Sequence, residues 1–185
     1  RAIEEGRNIY ANIRKAIFFL LSCNMGEILC IFVPILLGMP IPLLPIHLLW
    51  VNLVTDTFPA LALGMDPGDP DIIKEKPRDP KESLFAHGGI PFIVLNGLVK
   101  GGLALAAFWI GLTWGGGLAA GGDSLPLART MAFCVLSLTQ LFHAFNTRHI
   151  TKSLLSVGPF KNRWLIGAFF LCSFIQVIVV IVPSF

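Results

Sequence analysis

Trp50-Val51-Asn52-Leu53-Val54-Thr55-Asp56 sets an amide, a hydroxyl and a carboxylate inside a segment, Leu48 to Met65, that is otherwise apolar enough to cross a bilayer. Thr55 and Asp56 follow Asn52 by three and four positions. On an α-helix those spacings share one face, so three oxygens can be aimed at a common point. Asn24 and Glu27 repeat the three-residue spacing in the preceding apolar segment. An ionised carboxylate at the bilayer centre costs roughly 2.5–3.5 kcal/mol even on insertion scales. Two lone carboxylates in neighbouring spans are therefore expected to face each other or to share a cation.

Working outward, the composition agrees with a membrane chain. Of 185 residues, 55% are hydrophobic and only 14% charged, against about 25% charged in a soluble domain. The net charge of +3 is too small to suggest nucleic acid as a partner. Twelve of the 14 basic residues lie outside the apolar segments or at their ends, and only Lys100 and Arg129 break that pattern. Cys23, Cys30, Cys134 and Cys172 all fall within apolar segments without C-x-x-C spacing, which reads as small buried residues and not as a disulfide framework or zinc site.

The pattern predicts an all-α membrane protein, a bundle of about five transmembrane helices. Spans are expected near 16–37, 43–63, 90–114, 125–145 and 164–182, each long enough for a hydrocarbon core of about 30 Å. Ile3, Ile9, Ile13 and Ala16 recur at helical spacing among charged residues. Residues 1–15 should thus extend the first helix as a cytoplasmic stalk. Gly38-Met39-Pro40-Ile41-Pro42 carries no charge and predicts a tight extracytoplasmic turn. Lys74, Lys76, Arg78 and Lys81 mark the long Pro-rich segment 64–87 as cytoplasmic, and a second basic connector runs from Asn146 to Arg163. The N-terminus is expected on the cytoplasmic side.

The quoted heptapeptide extended to Leu48-Leu49, together with Arg1-Ala2-Ile3-Glu4-Glu5-Gly6-Arg7-Asn8-Ile9-Tyr10 and Ser22-Cys23-Asn24-Met25-Gly26-Glu27, resembles the fifth and sixth transmembrane helices of a calcium-transporting P-type ATPase. Leu61 to Arg78 is similar to the family's loop between its sixth and seventh helices, and the remaining spans resemble the seventh to ninth. The resemblance implies the membrane part of an ATP-driven pump that moves calcium, or manganese, out of the cytoplasm with proton countertransport, in the plasma membrane or a secretory-pathway membrane. It also implies that Asn24, Glu27, Asn52, Thr55 and Asp56 bind the metal.

Where two-calcium members of the family carry a glutamate in the eighth helix, this chain has Gln140. Glutamine keeps an oxygen and drops a charge, and calcium affinity depends on the number of charged ligands. Gln140 is thus a sixth candidate ligand and points to one ion, whereas Asn24 and Glu27 point to two. Each residue also has an ordinary reading. Thr55 can bond back to the Val51 carbonyl, Gln140 can join helices, and His143 can serve as a core hydrogen-bonding group. Lys100 either pairs with a carboxylate or reaches for the interface. Gly97 and Gly101 form a G-x-x-x-G expected to pack closely, against Gly26 if the resemblance holds.

No phosphorylation motif of the form Asp-Lys-Thr-Gly-Thr and no Gly-rich phosphate loop occur in these residues. ATP and Mg2+ are expected to act in cytoplasmic domains encoded before Arg1. The expected partners are membrane lipid and the rest of the pump polypeptide, including a fourth helix that completes the ligand shell. The competing reading is a passive ion channel, or an ion-binding membrane domain with no enzyme attached.

Overall fold

The computed structural model describes residues 2–67, 83–86, 88–114, 124–148 and 161–182, and among these every regular element is helical. The basic segment 74–81, most of the second basic connector and the glycine-rich stretch 115–123, on which the expected sidedness partly rests, lie outside the described residues. Five helical rods are long and apolar enough to cross a membrane. The expected all-α bundle is therefore what the chain forms.

α1 (Ala2–Leu36) is a single helix of 35 residues, about 52 Å long at 1.5 Å per residue. It stops at Gly38, whose φ of 66° is open to glycine at little cost. There Met39 N donates to Pro34 O at 2.9 Å and Gly38 N to Ile35 O at 3.2 Å, a Schellman ending that satisfies the last carbonyls. Arg129 Nε, on the helix that spans residues 124–147, donates to Ile41 O at 3.1 Å and braces the short link that follows.

The second rod has three parts: α2 (Pro45–Trp50), a π-helical turn (Val51–Asp56) and α3 (Thr57–Gly64). Pro45 opens it at a position where its missing N–H costs nothing. Pro59 has no N–H for the carbonyl four residues back and its ring crowds that carbonyl, so regular α-winding cannot run unbroken through this segment. The chain widens into a π turn just before Pro59. Thr57 Oγ1 donates to the Asn52 carbonyl at 2.8 Å.

α4 (Gly89–Trp114) packs against both α1 and α5 (Ser124–Thr147), and α6 (Arg163–Ile181) lies against α3 and α5. Small residues set the closest approaches. A Cβ on Gly97 would stand 2.6 Å from Met25 Cγ, and one on Gly101 3.0 Å from Gly26 O. A Cβ on Gly26 would meet Lys100 Cβ at 3.3 Å. The expected packing of Gly97 and Gly101 on Gly26 is thus present. At the far end of α4, Gly111 does the same against Ala128.

The core has two separate apolar clusters. One gathers Cys30, Val51, Ala104, Phe108, Ala132 and Leu136, and the other Phe19, Cys23, Ala62, Leu63, Ala144 and Leu165. Large apolar side chains such as Ile28, Phe32, Leu53, Leu95 and Phe174 point outward, as expected where the solvent is hydrocarbon. All four cysteines are free.

Candidate cation site

Between the two clusters three of the rods change character. On α1, Glu27 falls between Cys23 and Cys30; on the second rod, Thr55 and Asp56 fall between Val51 and Ala62; on α5, Gln140 falls between Leu136 and Ala144. The result is a polar layer sandwiched by apolar packing. Glu27 is 6% exposed, Asp56 1% and Gln140 0%.

Glu27 is the hub. Its Oε2 accepts from Asn52 Nδ2 at 2.8 Å and its Oε1 from Gln140 Nε2 at 3.2 Å, so three helices converge on one carboxylate. Asn52 Nδ2 also donates to Leu48 O at 2.9 Å, which fixes that amide. Asp56 differs. The Cys23 thiol, a weak donor, lies against it, but neither carboxylate oxygen accepts from an N–H or O–H group, and Gln140 Oε1 has no donor either. Oxygens buried without donors are what a cation would satisfy, since each otherwise bears its full desolvation cost.

The winding corrects one expectation. The spacing of Asn52, Thr55 and Asp56 was read as one face of an α-helix, whereas the π turn, with its i→i+5 bonding, spreads them. Thr55 and Asp56 turn into the bundle, while Asn52 stays exposed at its rim and reaches Glu27 from there. Asn24, one turn before Glu27 on α1, is also exposed. Glu27, Asn52 and Gln140 are therefore bonded together, Thr55 and Asp56 are buried at the same level, and Asn24 stands at the open side. Among the described residues no three of His, Cys, Asp and Glu gather as a metal cluster. A cation held here would be met largely by amide, hydroxyl and backbone oxygens, which suits a hard ion.

Lys100 fits neither ordinary role. It is 3% exposed, so it does not reach the interface, and no carboxylate stands within ion-pair distance among the described residues. Instead Nζ donates to Ser22 Oγ at 3.1 Å and to Cys23 Sγ at 3.3 Å. Ser22 Oγ in turn bonds His143 Nε2 at 2.8 Å, and Thr147 Oγ1 stands 3.2 Å from the same nitrogen. His143, stacked between Phe19 and Phe92, is the core hydrogen-bonding group that its lone occurrence suggested. Sequence reasoning missed Ser22 and Cys23. The signal available was Ser22, Gly26 and Cys30 recurring every four residues, a small-residue stripe on α1 that admits α4.

A second polar cluster was also missed. Asp66, just past α3, accepts from Lys15 Nζ at 2.7 Å, Arg148 Nε at 2.9 Å and Asn162 Nδ2 at 3.0 Å. Asn12 Nδ2 donates to the Asp66 carbonyl at 2.8 Å, and Asn162 Oδ1 caps α6 at Leu165 N. This knot ties four rods together at one end of the bundle.

Comparison with known proteins matches this arrangement. Over 192 residues the chain is 52% identical to Calcium-transporting ATPase 1 of Bacillus cereus, covering 99% of this chain and 22% of that protein. It is 45% identical over 182 residues to Calcium-transporting ATPase of Bacillus subtilis, covering 98% of this chain and 20% of the relative. The chain thus spans about a fifth of the length of the curated relatives it matches. The family model described as cation transporting ATPase, C-terminus, matches residues 40–185, and with the polar layer and five membrane rods in place the chain belongs to that family.

Proposed function

We propose that this chain is the cation-binding membrane part of an ATP-driven calcium pump, which moves calcium out of the cytoplasm and returns protons. One observation carries the reading: Asp56 is buried at mid-bundle with no N–H or O–H donor on either carboxylate oxygen, in a π turn one helix away from the Glu27 hub. An intramembrane carboxylate in that state is functional by default. The ligand set is Glu27, Thr55, Asp56 and Gln140 from within the bundle, with Asn24 and Asn52 at its rim. Those two exposed amides mark the side on which the rest of the pump polypeptide closes the shell. ATP and Mg2+ act in that remaining part. Both relatives are named calcium-transporting ATPases, which supports calcium, and manganese suits the same oxygen donors.

In the full-length protein, Asp56→Asn should abolish calcium-dependent phosphorylation by ATP without lowering the unfolding temperature. Normal calcium activation in that variant would reduce Asp56 to a structural residue. The sidedness is cytoplasmic for the start of α1. Single cysteines at Gly6 and Ile41 should then be labelled from opposite faces, Gly6 from the cytoplasm, and labelling of both from one face sinks that orientation.

A further inference from the structure

Lys100 is a membrane-buried cation whose hydrogen bonds go to neutral partners. Its stem crosses the backbone of α1 at Gly26, where a Cβ would come within 3.3 Å of Lys100 Cβ, and its ammonium ends at Ser22 and Cys23. Gly26 is the residue before Glu27, and Cys23 lies beside Asp56. Cys23 and Glu27 are one turn apart on the same face of α1, so an ammonium seated on Cys23 stands one turn from the Glu27 carboxylate as well as on the thiol beside Asp56. In the spans Glu27 and Asp56 are the only acidic residues, so the ammonium has no other anion to compensate.

We propose that Lys100 is a tethered cation of the ion site: held by Ser22 and Cys23, its ammonium supplies beside Asp56 and Glu27 the positive charge that a second divalent ion would bring, and limits the site to one divalent ion. The inference rests on the ion-site reading above and deepens it. Two carboxylates against one lysine leave a single negative charge to attract the transported ion, and loading one divalent ion leaves the site positive. A further ion then meets repulsion, and the bound one is held less tightly than by two uncompensated carboxylates. Lysine suits this task because its ammonium is a compact point charge on a flexible stem. Gln140, in turn, adds no charge that would offset it. The three glycines give the tether its geometry, since a side chain at Gly97 would collide with Met25, one at Gly101 would press on the α1 backbone, and one at Gly26 would crowd the Lys100 stem.

The test uses the full-length pump. Equilibrium binding of radioactive calcium to the wild type should saturate at one ion per molecule. Lys100→Gln, which keeps a donor for Ser22 and removes the charge, should bind calcium about tenfold more tightly or better, and Lys100→Arg should bring the affinity back toward the wild-type value. A merely structural lysine would leave calcium affinity unchanged or weaken it on substitution. Unchanged or weaker binding by Lys100→Gln, in protein that unfolds at the wild-type temperature, overturns the proposal. So does binding of two calcium ions by the wild type, a count that needs no variant to fold. Failure of the underlying reading would show separately, as normal calcium activation in Asp56→Asn.

Discussion

Gln140 Nε2 donates to Glu27 Oε1 across 3.2 Å, joining α5 to α1 at the polar layer between residues 113 positions apart in sequence. The bond uses the amide's donor and leaves its own carbonyl oxygen free, so a single side chain both positions the Glu27 carboxylate and offers an oxygen of its own.

Gln140→Leu should therefore do two things at once. Losing a buried hydrogen bond to a charged acceptor costs about 1.5–3 kcal/mol, read as a lower unfolding temperature in calcium-free detergent solution. Calcium binding to the full-length protein should weaken as well, because an oxygen is lost. A variant with wild-type stability and wild-type calcium affinity would mean that Gln140 merely fills space.

Asp66 makes a different kind of prediction, about integrity and not ions. Its side chain is 1% exposed and faces Arg148 at 3% and Lys15 at 15%. Asp66→Ala takes a carboxylate away from the buried Arg148 guanidinium, and breaking one side of a buried pair costs about 3–5 kcal/mol. Thermal unfolding should register the loss while the polar layer of Glu27, Asp56 and Gln140 stays in place. A change smaller than about 0.5 kcal/mol, the usual range of surface substitutions, would show that the knot is not needed.

The glycine seam between α1 and α4 has a built-in control. A Cβ on Gly97 would come within 2.6 Å of Met25, whereas one on Gly102 would meet nothing within 4 Å. Gly97→Ala should destabilise by about 1–3 kcal/mol through overpacking, and Gly102→Ala should be neutral or stabilising, as alanine is preferred to glycine in a helix interior. Equal effects of the two would show that α1 and α4 are not in close contact.

Much of this was legible in the residues. The five spans follow from runs of apolar side chains, because hydrocarbon solvent leaves a strong compositional trace. Glu27 and Asp56 were legible because a carboxylate in such a run is costly and needs a reason. The π turn was not, since periodicity alone assumes 3.6 residues per turn and the effect of Pro59 on the preceding winding depends on which carbonyls find other donors. Lys100 remained undecided for a related reason: its choice between interface and interior turns on Gly26, Gly97 and Gly101 admitting its stem, a matter of depth between two helices. The Asp66 knot escaped because Asn12, Lys15, Asp66, Arg148 and Asn162 are ordinary polar residues at helix ends until the fold brings them together.

The separation of the apolar core into two clusters has a consequence for traffic through the molecule. The cluster around Phe108 and Leu136 and the cluster around Phe19 and Leu165 share no residue, and the polar layer lies between them. Toward either end of the bundle a desolvated ion in that layer would meet hydrocarbon-like packing, in which charge is strongly disfavoured, leaving the side of Asn24 and Asn52 for the rest of the pump to close. Since the plugs are built from different side chains, one can loosen while the other stays shut. In the proposed pump the two clusters would be the two doors of an airlock, with Glu27 and Asp56 in the chamber between them.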